Sequence, residues 1–245
     1  MHDKRSGTGR SALRALIALT GAGAGLILAS PAGAATRGFT ITSFDAIRVD
    51  APVTVVLTTN AGASARAEGD QASLDRLKVD VSGRVVSVTM IRPRPGEKSG
   101  GAVTLRLSTG MVQRVVLTGG GSIAIDRMKG LLGQIILGGG GDIGVAAVDL
   151  ERIDLALAGG GRVTLAGRAG VANVRVNGPG ALAAEPLRAR QADISNEGPG
   201  SISLTADVTA KVTTSGSGDI DITGKAACTV ENRGTGRVTC GGESF

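Results

Sequence analysis

A three-residue glycine turn returns seven times between Val115 and Cys240, and this repeat constrains the fold more than any other feature. It stands as Gly119-Gly120-Gly121, Gly139-Gly140-Gly141, Gly159-Gly160-Gly161, Gly178-Pro179-Gly180, Gly198-Pro199-Gly200, Gly216-Ser217-Gly218 and Gly234-Thr235-Gly236. Counted on the last glycines, Gly121, Gly141, Gly161, Gly180, Gly200, Gly218 and Gly236, the steps run 20, 20, 19, 20, 18 and 18 residues. A period in this range is the signature of a solenoid.

Alignment on those last glycines gives columns. Two residues on stand Ile123, Ile143, Val163, Leu182, Ile202, Ile220 and Val238; four residues on stand Ile125, Val145, Leu165, Ala184, Leu204, Ile222 and Cys240. Between them lie Ala124, Gly144, Thr164, Ala183, Ser203, Asp221 and Thr239, which period-two alternation places outside. A second strand precedes each turn. Its inward column, six residues before the last glycine, reads Val115, Ile135, Leu155, Val174, Ile194, Val212 and Val230. Eight before, Gln113, Gly133, Ile153, Ala172, Ala192, Ala210 and Cys228 are mostly small. Each repeat therefore reads as two short strands about a glycine corner.

One such unit cannot bury its apolar side alone, and stacked copies close a continuous core. The expected fold is all-β, a right-handed parallel β-helix-like solenoid in which seven turns rise about 30 Å at ~4.8 Å per rung. The runner-up is an antiparallel meander forming a sandwich or barrel. Column identity disfavours it, because neighbouring repeats look selected together. Asp142 precedes Arg162 by one repeat and Asp219 precedes Arg237 by one, so a parallel stack sets each pair on adjacent rungs, within reach of a surface ion pair worth about 0.2–1 kcal/mol. The corners are expected to need positive φ and close backbone approach, both of which glycine allows.

Residues 37–100 look less regular, and residues 101–242 carry the repeat. Phe39 to Asp50 reads as a strand kinked at Ser43, followed by strands at 53–59, 65–68, 77–81 and 85–90, with Ser82-Gly83 as a turn. Pro93, Pro95 and Gly96 open a polar loop that ends near Gly101. The whole of 35–245 reads as one β domain with a long insertion.

Residues 1–34 resemble a secretory signal: basic Lys4, Arg5, Arg10 and Arg14, an apolar run from Ala15 to Ala29, then Pro31 and the small residues Ala32-Gly33-Ala34. The run is short and diluted by Gly21, Gly23 and Gly25, which disfavours an uncleaved anchor, so no stable membrane span is expected after cleavage. Four of the 27 basic and one of the 21 acidic residues leave with it, and the formal charge falls from +6 to +3. The remaining charges are dispersed, with Phe39, Phe44 and Phe245 the only aromatics, so nucleic-acid binding is a poor reading. In an oxidising compartment Cys228 and Cys240 are expected to form a disulfide, with two free buried thiols as the alternative.

Several motifs tempt. Gly139-Gly140-Gly141-Asp142-Ile143-Gly144 has the spacing of a dinucleotide loop, but no helix follows it. Calcium-binding glycine-aspartate repeats recur every nine residues with the Asp kept, whereas here Asp142 becomes Arg162. No cofactor, metal or catalytic set is therefore assigned. The alternative function is a polysaccharide-active lyase or hydrolase, in which the outward carboxylates Asp219 and Asp221, about 7 Å apart on one strand, are joined by Glu231 or Asp193. An outward apolar stripe, Val116, Ile136 and Ala156, marks either a surface covered by the N-terminal strands, the favoured reading, or an association surface that would make a homo-oligomer.

The order of these motifs resembles a known family. The signal peptide, the entry strand Phe44-Asp45-Ala46-Ile47-Arg48-Val49, the segment Ala65-Arg66-Ala67-Glu68-Gly69-Asp70 and turns such as Ser215-Gly216-Ser217-Gly218-Asp219-Ile220 look like the bacterial GIN domain, described as a "putative autotransporter adhesin head". The similarity spans about residues 38–242. It implies a β-helix-like fold outside the cytoplasm (periplasm, cell surface or medium), an adhesion role toward an envelope protein or glycan, and no catalytic residues.

Overall fold

The computed structural model describes residues 35–96 and 100–245. The expected signal segment, residues 1–34, lies outside the described residues. Four long strands carry the repeat: β11 (Asp142–Leu157), β12 (Arg162–Val176), β13 (Ala181–Asn196) and β14 (Ser201–Thr214). They pair side by side and in parallel. The meander is thereby ruled out, and the chain is a parallel β-solenoid.

The columns read from sequence are register columns in space. Ile123, Ile143, Val163, Leu182, Ile202, Ile220 and Val238 pair in unbroken succession, and each is at most 1% exposed. The series from Val115 to Val230 pairs in the same unbroken succession on the other side of the turn, buried as far as Val212 and half-buried at Val230. Gln113 alone leaves its column: it is exposed, and Val112 takes the buried place beside it.

Each coil has three sides, not two. In β11 the buried residues are Ile143 and Val145, then Val148 and Leu150, then Ile153, Leu155 and Leu157. Strict alternation slips at 146–147 and again at 151–152, where two successive residues face out. A strand that keeps its core on one side through such a slip has turned a corner. We call the sides A (142–145), B (147–150) and C (152–157). Side B was not legible as a strand because its length varies between repeats, by one residue from β11 to β13 and by as many as three between β13 and β14, and the ladder shifts register there.

The N-terminal part is more ordered than its sequence suggests. The expected strand 39–50 divides into β1 (Ala35–Phe39) and β2 (Ala46–Asp50). With β3 (Thr54–Thr58), β2 makes a rung on sides C and A: β2 pairs in parallel with β8 (Arg114–Leu117), and β3 with β9 (Ser122–Ile125). On the far side of that rung lie β6 (Val85–Met90), parallel to β2, and β7 (Val103–Ser108), parallel to β3. Rungs therefore stack out of chain order, with the earliest held between the second and the third. This end is finished by β5 (Leu77–Ser82), antiparallel to β6, and by β4 (Ser64–Gly69), antiparallel to β7 and β1.

Between β4 and β5 sits one helical turn and a half, α1 (Gln71–Arg76), which sequence periodicity did not reveal. It is too short to show a period and is held by its cap: Asp70 accepts the Ser73 amide at 3.0 Å. At the opposite end β14 is followed by β15 (Ile220–Gly224) on side A and β16 (Ala227–Asn232) on side C, then β17 (Val238–Cys240) and β18 (Glu243–Ser244). Between β9 and β11, β10 (Met128–Leu137) runs through sides B and C. One apolar cluster links Phe44 to Cys240.

The glycine turns work by close approach alone, which corrects half of the sequence argument. None of Gly121, Gly141, Gly161, Gly180, Gly200, Gly218 or Gly236 has a left-handed φ; that conformation falls at Gly130, Gly167 and Gly224 on other corners. A Cβ on Gly141 would stand 1.9 Å from the Gly121 carbonyl oxygen, and one on Gly161 1.8 Å from that of Gly141. The middle positions differ: around Gly120 and Gly140 nothing lies within 4 Å. That is why Pro179, Pro199, Ser217 and Thr235 are admitted there.

Candidate functional site

A groove of about 750 Å³ crosses side A along the solenoid axis. Its floor is the outward column between the two inward ones, Val56, Ala124, Gly144, Thr164 and Ala183, in direct register. These side chains are small, and Gly144 has none, so the floor lies low. Its wall is the corner between sides A and B, with Asp126, Ala146, Ala166, Glu185 and Pro186. Asp126 is committed to the fold, accepting the Thr59 amide and hydroxyl at 2.9 Å each. Farther along, the same column becomes polar as Ser203, Asp221 and Thr239.

Those carboxylates are engaged in the stack. Asp219 accepts the Arg237 amide at 2.9 Å, and Asp221 accepts the Thr239 hydroxyl at 2.5 Å. Asp193 and Glu231 belong to β13 and β16 on side C, away from the Asp219 strand, and Glu231 pairs with Arg233. The fold does not bring the four acids together. Among the described residues no group of three or more His, Cys, Asp or Glu side chains is placed to hold a metal ion.

The ion pairs expected from sequence take another form. Asp142 and Arg162 do share a register position on adjacent rungs, and Asp219 meets Arg237 through the amide. The cross-rung ion pairs of the repeat region lie on side B, along Lys129, Asp149, Arg168, Arg188 and Asp207. Asp149 sits 2.8 Å from Arg168 and 3.8 Å from Lys129, while Arg188 reaches Asp207 at 2.7 Å. These residues fall seven or eight positions after the last glycine of each turn, and the one-residue drift hid the column.

The stripe Val116, Ile136 and Ala156 is half-buried on the outside of side C. The N-terminal strands do not cover it. They stack end-on, and β2 prolongs the column with Arg48 while β12 continues it with Arg175. Cys228 and Cys240 are joined as a disulfide that links sides C and A at the last rung.

The comparisons with known proteins follow this architecture. Residues 43–226 match the family model described as "Putative auto-transporter adhesin, head GIN domain". The chain belongs to the GIN-domain family. No curated protein sequence matches it. Solved structures similar to this GIN domain include a putative adhesin from Bacteroides fragilis (16% identity, TM-score 0.72), covering 84% of this chain and 95% of that one. A putative lipid binding protein from Parabacteroides distasonis is 19% identical with a TM-score of 0.65, covering 84% and 96%. A putative adhesin from Parabacteroides merdae is 18% identical with a TM-score of 0.60, covering 84% and 95%. At these identities the likeness is one of fold.

Proposed function

We propose that this GIN domain is a non-catalytic, exported binding module of the adhesin type, and that the side A groove is where it holds the apolar group of an envelope component. The observation that carries this reading is the groove itself. A solvent-facing sheet surface is ordinarily polar, yet five successive rungs here present Val56, Ala124, Gly144, Thr164 and Ala183. An acyl chain lying across the rungs, along the solenoid axis, would find a low apolar floor and one wall. The family description supports a binding role, and the name of the Parabacteroides distasonis structure agrees with a lipid partner. Export fits the disulfide, which persists in oxidising compartments.

The test is binding of the purified protein to a fluorescent fatty-acyl probe and to envelope lipid vesicles, beside Ala124→Arg and Ala183→Arg. Both positions are exposed, so the variants should fold. A long charged side chain in the groove should weaken binding about tenfold or more. Equal binding by wild type and both variants would move the site elsewhere.

A further inference from the structure

Side C ends at β16, whose strand partner among the described residues is β14 alone. The amides of Lys225 and Arg233 bond back to Ala206 and Thr214 of that neighbour. Successive residues of a strand turn their N–H and C=O groups to opposite edges, so Cys228 and Val230 direct theirs away from β14. Their side chains are equally unfinished. In the two preceding rungs Ala192, Ala210, Ile194 and Val212 are at most 4% exposed, whereas Cys228 and Val230 are only half-buried. On side A the chain climbs farther: β17 continues beyond β15, β18 lies antiparallel on β17, and the Phe245 amide bonds to the Val238 carbonyl. The result is a ledge, with β16 as its floor and the β17 and β18 pair as its riser, and the disulfide joins the two.

We infer that this ledge takes one extended strand from a partner protein, added to the free edge of β16. Its side chains over Cys228 and Val230 would be small or β-branched and apolar, and those beside Thr229 and Glu231 hydroxylated or basic. The molecule already contains a strand of that pattern. Thr209 to Thr214 pairs the other edge of β16, setting Ala210 on Cys228, Lys211 on Thr229 and Val212 on Val230. A second copy of the chain fits less well, because a two-fold that joins two β16 edges brings each raised β17 and β18 pair against the other coil. Strand addition of this kind draws affinity from the main chain and specificity from alternate side chains.

Amide hydrogen exchange on the wild-type protein tests this, using the heptapeptide Val-Thr-Ala-Lys-Val-Thr-Thr, a copy of residues 208–214. The Cys228 and Val230 amides should exchange freely alone and become protected with the peptide. The same peptide with proline at its central position should protect nothing. By fluorescence anisotropy, Val230→Lys should lose about tenfold or more in affinity, since an inward-pointing charge blocks an edge. Unchanged exchange in β16, or equal protection by the proline peptide, overturns the inference. So does protection confined to β5, or a concentration-dependent dimer that protects β16 without peptide.

Discussion

The two ends of the solenoid are finished by different physics. At the N-terminal end both strands of the outermost parallel rung are roofed, β6 by β5 and β7 by β4 with β1 beyond it, and the roof buries Ala65, Ala67, Leu74 and Leu77. At the C-terminal end, among the described residues, only β17 is roofed, by the two residues of β18, and a covalent bond does the rest. Stacked rungs have no preferred length, so each end must be stopped by something other than another repeat. One end is stopped by burial and the other by a cross-link, which leaves β16, among the described residues, as an unroofed edge of the stack.

The severest way to break this comparison is to cut the stack between its ends. Gly161→Ala puts a Cβ 1.8 Å from a backbone oxygen and should cost about 4 kcal/mol or more, whereas Gly140→Ala, in open space, should stay within about 0.5 kcal/mol. Urea unfolding of the two proteins measures the difference. Similar losses would mean that the turns are not held by contact between rungs.

The disulfide should matter less and only at its own end. Cys228→Ser with Cys240→Ser opens a loop with a sequence separation of 12 and should cost about 2–3 kcal/mol. The added hydrogen exchange should be confined to β15 through β18. If the N-terminal roof lost protection too, the ends would not be independent.

A smaller change should strengthen the C-terminal end. The inward column Leu117, Leu137, Leu157 and Val176 turns polar at Asn196, Thr214 and Asn232. Asn196 and Asn232 each accept from one turn amide and donate to one turn carbonyl, but the buried Thr214 hydroxyl has no partner. Thr214→Val should therefore raise stability by about 1 kcal/mol in urea unfolding.

The mildest effect is one of pH, at the N-terminal end alone. The Ser73 side chain beside it, and then the Ser73 amide that donates to it at 3.0 Å, hold the Asp70 carboxyl below the usual aspartate value. A depressed folded value means stabilisation that is present above the ordinary aspartate pKa and lost as pH falls through the folded one. Acid should accordingly release α1 and β5 before the glycine-turn stack, as read by exchange at low pH, and Asp70→Asn should remove that pH dependence.

Much of this fold is legible in the chain because a solenoid writes its contacts at a fixed period. Ile143 meets Ile123 and Val163 in space for the reason that they align in sequence, and the small outward column that floors the groove was visible in the same way. Side B escaped because changes of one to three residues at its corners blur the period and with it the charged column from Lys129 to Asp207. The depth of the groove was hidden too, since its wall comes from corner residues that no column predicted.

What the sequence determined by itself is the stack: glycines where a Cβ cannot fit, aliphatic residues at period two on either side, and cysteines in two inward columns of the last rung. What tertiary structure decided is everything that depends on which rung lies beside which. The placement of β2 and β3 between β6 and β7 on one side and β8 and β9 on the other has no local signal, because Val49 and Val55 would be inward in any order of stacking. Only the closing of both edges of that early rung selects it. The same holds for the ledge at β16, which exists because β17 and β18 rise past it on side A while, among the described residues, no strand lies beyond it on side C.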